Sequence, residues 1–503
     1  MVRLKRTALV LLVSLCLLSI LPAASSRFNV RAQSVTWTVD WNGSGDFTSI
    51  RDALNSKNVS SEDTIFVNKG IYNESVEINK SISLVGEDRD NTIINGDSEA
   101  AYVILINSIN NVSVQNFTIE KSGVKLTDSG IYIISSGSMV SHNKIIGISE
   151  GIIIVSSINN SISDNIILFN NDAGIYMLFS SSNTFLSNTI SNNQRGISIS
   201  GSRGNVFADN TISDNQEGVS TSSRSTINVF YHNNFVNNGV HASTDGFLNY
   251  WNNYGEGNYW SNYTGQDSRH DGTGDLPYVI DVNNIDNKPL VGMFSGFNVV
   301  SANEIYQVDI VSNSTVSDFN FEIGVETGNK VITFSVSGEK GTVGFSRIAI
   351  PIALMNYSLV LVNGEEIFPT PLDKSSSEDY LYFTYPHTKQ IVTIISSMTF
   401  NLYEDLFAQF RDLQTNWNFL NLTYFGLLNS YGALLGNFSQ LQQSYMALNA
   451  SYQDHLSDHS QSLENVRSLM YIFAGTTAVF IVTTIYLSRR QRSRMAAPFE
   501  SNR

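Results

Sequence analysis

Cysteine is almost absent from this chain. The only one, Cys16, lies in an apolar run near the N-terminus, so loss of that run would leave no thiol. Disulfides and thiolate metal sites are thereby excluded. Charge is scarce as well: 15% of the 503 residues are charged, and 45 acidic against 30 basic side chains give a net charge of −15. Without a basic surface the chain has no footprint for a phosphate backbone, and nucleic acid is excluded as a partner. What is present is apolar surface. With 42% hydrophobic residues, including 28 Phe and 22 Tyr, the chain has enough to bury that disorder is excluded too. Its length is about three times a usual domain, so several modules in series are expected.

Both ends point to a membrane. Residues 1–26 order Arg3, Lys5 and Arg6, an apolar run from Ala8 to Leu21, and the small residues Ala23 to Ser26, as a secretory signal does. From Leu469 to Leu487 no residue is charged, and Arg489, Arg490, Arg492 and Arg494 follow. The positive-inside rule then places the tail, 488–503, in the cytoplasm and everything before the span outside. Thirteen N-x-[ST] sequons, Asn73, Asn111 and Asn313 among them, suit a glycosylated exterior. The expected location is the plasma membrane, with a single pass.

Between these ends the chain repeats. Gly130, Gly151, Gly174, Gly196 and Gly218 recur every 21 to 23 residues, and Asn143, Asn165, Asn188, Asn210 and Asn233 run in phase with them. A period of this length indicates a solenoid. The strands are short, β-branched and separated by Asn, Gly and Ser, which suits a parallel β-helix rather than a leucine-rich repeat. Equivalent residues would stack about 4.8 Å apart, placing Ile on Ile inside and Asn in hydrogen-bonded ladders at the turns. Eight or so coils would make a rod of roughly 40 Å.

The opening Asp46-Phe47-Thr48-Ser49-Ile50-Arg51-Asp52-Ala53-Leu54, the stretch from Asp63 to Glu87, and the closing segment from Gly257 to Leu290 resemble pectate-lyase-like β-helix proteins. More narrowly they resemble the NosD family and its archaeal surface relatives. The resemblance implies a right-handed parallel β-helix over 35–294, with a capping helix at its start. It says little about reaction, because one scaffold hosts lyases, hydrolases and binders.

Beyond the coils, alternating runs such as Lys330 to Val336 and Asp379 to Tyr385 predict a β-sandwich over 297–400. Over 401–468 leucines recur every seven residues, at Leu406, Leu413, Leu420, Leu427, Leu434, Leu441 and Leu448. Aromatics precede the following Leu by three, which predicts a coiled-coil-like helical stalk that self-associates. The expected architecture is therefore an all-β ectodomain, this stalk, and one transmembrane helix at 469–487.

Four sets of residues carry candidate chemistry. Turn residues just before the repeat glycines, with Glu150, Asp172, Arg195 and Glu217 foremost, would stack into one groove where paired carboxylates serve acid–base work on a glycan. A surface charge ladder explains the same column. Trp251, Tyr254, Tyr259 and Trp260 suit stacking on sugars, although the covering of a last coil fits them better. Asp267, Asp271 and Asp275, with Gly272 at a sharp turn, approximate a Ca²⁺ loop, although Arg269 breaks the pattern and a plain acidic turn fits it better. Copper, which the NosD resemblance implies, lacks ligands. His142 and His232 share a slot but lie four coils, roughly 19 Å, apart, and no Cys or Met cluster exists. The function expected is an anchored surface protein binding carbohydrate or envelope partners. The alternatives are a polysaccharide lyase or glycoside hydrolase, and a purely structural envelope component.

Overall fold

A computed structural model describes residues 34–396, except 122, 124, 126, 127, 254, 326, 358 and 373–376, together with part of 417–441 and the helix 461–494. The signal segment 1–26 and the seam residues Leu406, Leu413, Leu434 and Leu448 lie outside the described residues. The chain divides into two units, Met1–Met398 and Thr399–Arg503.

The first unit opens as a parallel solenoid with three faces. Sheet 1 stacks nine strands from Thr36–Val39 to Val229–Tyr231. Sheet 2 stacks eight from Val76–Ile78 to Val240–Ser243, and sheet 3 stacks nine from Gly70–Asn73 to Tyr259–Trp260. Every strand pairs in parallel with its equivalent on the next coil. Along sheet 2 the register sets Ile104, Ile131, Ile152, Ile175, Ile197 and Val219 in one inward column, all fully buried. Eight spacings of about 4.8 Å give a rod of roughly 38 Å. The N-terminal end is closed by helix α1 (Ile50–Asn55), which buries Ile50, Ala53 and Leu54. Its first amides donate to the Glu74 carboxylate at 2.8 and 2.9 Å, where an anion suits the helix N-terminus.

The two periodic residues have separate tasks. At Gly174 a Cβ would stand 2.7 Å from Ile190 Cγ2 and 2.9 Å from the Gly196 carbonyl oxygen. The bend into sheet 2 brings adjacent coils too close there for a side chain. Asparagine handles the polar groups of the turns. Each Oδ1 of Asn165, Asn188, Asn210 and Asn233 accepts the backbone N–H of the equivalent Asn one coil earlier, at 2.9–3.1 Å, and the Nδ2 of that residue as well. Two further ladders escaped the sequence reading: Asn160–Asn183–Asn205–Asn228–Asn249 and Asn170–Asn193–Asn215–Asn238. The closing segment ends two of the three. Asn284 Oδ1 accepts the Asn249 N–H at 3.0 Å, and Asp286 Oδ2 accepts that of Asn258 at 2.8 Å.

Antiparallel sheets follow. One orders Met293–Ser301, Glu304–Ser312, Val343–Pro351, Glu378–Pro386 and Thr370–Pro371. The other orders Thr315–Ile323, Lys330–Ser337, Gln390–Ser396, Leu359–Val362 and Glu365–Ile367. Val308, Ile348 and Leu381 of the first sheet and Phe334, Val360 and Ile394 of the second share one buried core, the face-to-face packing of a sandwich.

In the second unit, the described part of 417–441 is helical, with Leu420, Leu427 and Leu441 exposed. Helix α2 (Gln461–Arg494) contains a 20-residue apolar segment, Val466–Ile485. At about 1.5 Å per residue it matches a hydrocarbon core of roughly 30 Å.

Candidate functional site

The turn acids converge as their spacing predicts, on the outward edge of sheet 2. Register pairing puts Glu150 beside Ser129, and Arg195 between Ala173 and Glu217. Arg195 Nε and Nη2 both donate to Asp172 Oδ1, at 2.9 and 2.5 Å, and Nη1 reaches Ser198 Oγ at 3.4 Å. Ser243 Oγ donates to Glu217 Oε1. Glu150 is only 5% exposed. Its Oε2 accepts the Ala173 N–H at 2.9 Å. Burial, then the adjacent Asp172 charge, pushes the Glu150 pKa up to about 8, so Glu150 keeps its proton at neutral pH.

That raised pKa has a signed consequence. The unfolded chain releases the Glu150 proton near 4.5 while the folded chain keeps it to about 8. Folding stability therefore falls as pH rises through that window. Glu150→Gln, which cannot titrate, is expected to flatten part of this slope. Urea unfolding of both proteins at pH 5 and pH 8 measures it, and equal slopes would show that Glu150 does not titrate there.

Beside the acids runs a second outward row, one residue per coil: Tyr132, Ile153, Tyr176, Ser198, Ser220 and Ser243. Tyr132 and Tyr176 are half-buried and flank a buried Ile153, and Phe169 is exposed on the turn leading to Asp172. These aromatics were not singled out from sequence. Strand parity would have found Tyr132 and Tyr176, because each follows an inward Ile by one residue.

The aromatics that were singled out lie elsewhere. Trp251 and Trp260 are 1% and 0% exposed. Trp251 extends the interior stack Phe185–Phe207–Phe230, with ring centroids 4.3–4.7 Å apart, and Trp260 lies between Phe235 and Tyr278. With their faces covered they cannot stack on a sugar. They close the core. Tyr259 is half-buried against the cluster of Leu290, Phe294, Val311 and Phe345, and Tyr254 lies outside the described residues.

The acidic loop turns inward on its own backbone. Asp267 accepts the N–H groups of Asp271 and Gly272 at 3.0 and 2.8 Å, Asp271 that of Thr273 at 2.9 Å, and Asp275 that of Ser268 at 2.9 Å. Arg269 pairs with Asp271 at 3.4 Å. Each carboxylate thus caps a turn instead of pointing at a common centre, and among the described residues no group of three His, Cys, Asp or Glu side chains is placed to hold a metal ion.

Sequence reasoning also missed a buried ion network where the last coils meet the antiparallel sheets. Arg347, 1% exposed, donates to both Glu256 oxygens at 2.7 and 3.0 Å. Glu256 Oε2 lies 2.9 Å from His232 Nε2, whose Nδ1 is 3.4 Å from Asp209. The imidazole stacks on Phe294 at 4.0 Å. Burial depresses the His232 pKa, but its hydrogen bonds and charge attraction to Asp209 and Glu256 outweigh that and raise it to about 9. Burial likewise pushes Glu256 up, and Arg347 and His232 outweigh it, holding Glu256 at about 2.

Residues 56–265 match the family profile described as periplasmic copper-binding protein (NosD). Among the described residues the side chains do not fit a copper site. His232 is a protonated ion-pair partner with no free nitrogen, His142 stands exposed beside Asp164 at 4.0 Å, and His241 is engaged by Asn238 and Ser261. His387 is held by Ser314 and Thr342, while His455 and His459 lie outside the described residues. The chain matches no curated protein. Among solved structures it is similar to pectin methylesterase from carrot, at 15% identity over 49% of this chain and 92% of that one, TM-score 0.28. Pectin methylesterase PemA from Erwinia chrysanthemi shares 14% over 38% and 80%, TM-score 0.28. An alginate lyase from Paenibacillus shares 14% over 44% and 97%, TM-score 0.27. The coils and their asparagine ladders make a parallel β-helix that over residues 56–265 is similar to the NosD family.

Proposed function

We propose that this protein is a membrane-anchored surface binder that holds an extended glycan along the outward face of sheet 2. The observation that carries this reading is the row Tyr132–Ile153–Tyr176–Ser198–Ser220, repeated once per coil beside the charged column. Aromatic faces and hydroxyls at a regular rise suit a polymer of ring units running parallel to the solenoid axis. Binding without turnover is supported by the geometry of the acids. A glycosidase separates its two carboxyl groups by about 5–9.5 Å to admit the scissile bond or a water. Glu150 is instead buried with its Oε2 on the Ala173 N–H, and Asp172 is paired with Arg195. The wider pair, Asp172 and Glu217, has Arg195 between them.

Anchoring through Val466–Ile485, with the arginines 489–494 on the cytoplasmic side, is supported by segment length and charge order. Self-association through 401–468 is supported by the heptad spacing, of which Leu420, Leu427 and Leu441 are exposed on helical segments.

The test is a glycan array probed with full-length protein in nanodiscs, alongside Tyr132→Ala and Tyr176→Ala. A stacked ring contributes about 0.5–1.5 kcal/mol, so each variant is expected to bind about 2- to 10-fold more weakly, with no reducing ends released by the wild type. Unchanged affinity in both variants would remove the sheet 2 face from the reading. Product release that disappears in Asp172→Asn would make the protein a hydrolase.

A further inference from the structure

We infer that the glycan recognised by the sheet 2 face carries no anionic groups. This rests on the binding reading above and concerns the chemical class of the ligand. A uronate or a sulfated sugar needs a cation with free N–H groups, and Arg is the usual choice because its fork matches the carboxylate. Arg195 is the cation within the column, and its charge is already paired. Nε and Nη2 both donate to Asp172 and Nη1 to Ser198, so three of its five N–H groups are taken and an incoming anion has to compete with the Asp172 carboxylate for the rest.

The other cations near this face do not replace it. Lys121 pairs with Glu120 at 4.0 Å, and Lys125 lies in the loop that ends at Asp128, one coil before Glu150. Arg203 and Arg224 belong to turns beyond the opposite ends of the six-residue strands Arg195–Ser200 and Glu217–Ser222, roughly 17 Å from the column at about 3.3 Å per residue.

The remaining charges repel an anion. Glu217 stands in the column with a serine hydroxyl for a partner, and Glu77 projects exposed from the first strand of the same sheet. Asp172 balances Arg195, and Glu150 keeps its proton. With Asp128 one coil before Glu150, the acids of the column outnumber its one cation. An uncharged ring polymer meets none of these costs. Its hydroxyls can use Ser220, while its ring faces lie on Tyr132 and Tyr176.

The experiment prints linear neutral glycans and linear uronates of matched length on one array and probes it with the full-length protein in nanodiscs of zwitterionic lipid. Neutral glycans are expected to bind at least about 10-fold more tightly than uronates. Their affinity should change less than about 2-fold between 0.05 and 0.5 M salt, since no charge pair is screened. Glu217→Gln is expected to narrow the gap by raising uronate binding without altering neutral binding. Preferential binding of uronates, weakened by salt, would overturn this inference and leave the binding reading standing. An array on which neither class binds would overturn the binding reading itself.

Discussion

Arg347→Ala is expected to destabilise the ectodomain by about 3–5 kcal/mol, because it leaves the Glu256 carboxylate in a closed interface with only His232 to compensate it. Arg347 is almost wholly buried and makes both of its carboxylate bonds across the junction. Its guanidinium also lies 5.4 Å from the centre of the Tyr380 ring, so truncation removes packing as well as charge. The double variant Arg347→Met with Glu256→Gln removes both charges at once and is expected to recover most of the loss, since an uncharged pair of similar volume carries no desolvation cost. Urea unfolding of the full-length protein in detergent, comparing the single and double variants, measures this. A double variant no more stable than Arg347→Ala would show that shape, and not charge pairing, holds the junction.

Asn188→Ala is expected to cost about 4 kcal/mol. The side chain sits in the middle of its ladder at 1% exposure. Its Oδ1 accepts the Asn165 N–H and Nδ2 at 3.1 and 3.0 Å, and its Nδ2 donates to the Ile162 carbonyl and to Asn210 Oδ1 at 2.8 and 2.9 Å. Alanine leaves the buried Asn165 N–H without its partner, at about 1–3 kcal/mol, and removes one bond each from Asn165 Nδ2, the Ile162 carbonyl and Asn210 Oδ1, at about 0.5–1.5 kcal/mol apiece. Thr189→Ala, one residue away and exposed, is expected to stay within about 0.5 kcal/mol. Hydrogen exchange adds a spatial check. Protection should drop first on the coils either side of Asn188, because each coil of a solenoid is held mainly by its neighbours. A Thr189→Ala effect as large as that of Asn188→Ala would take the ladder out of the account.

The acid column was legible because its residues recur once per coil, so spacing alone assembled Glu150, Asp172, Arg195 and Glu217. The aromatics of the closing segment show the limit of that reasoning. Trp251 and Trp260 lie where the period breaks down, and nothing local distinguishes a ring that closes a core from one that faces solvent. The acidic loop has the same ambiguity. Asp267, Asp271 and Asp275 have the right residue types at plausible offsets, yet whether a carboxylate points at an ion or at its own backbone depends on φ and ψ along the loop.

By itself the sequence determined the solenoid and its direction of stacking, since a side chain every 21 to 23 residues must fall on its equivalent once the strands pair in parallel. It likewise determined the asparagine ladder from Asn143 to Asn233, the alternating strands after Met293 and the apolar segment near the C-terminus. Only the tertiary structure decided that Arg347 meets Glu256, 91 positions earlier, and that His232 and Asp209 join them. It alone decided that Glu150 keeps its proton. Neither periodicity nor composition encodes these outcomes, because each depends on which surfaces exclude water together, and desolvation is a property of the assembled packing rather than of any local run of residues.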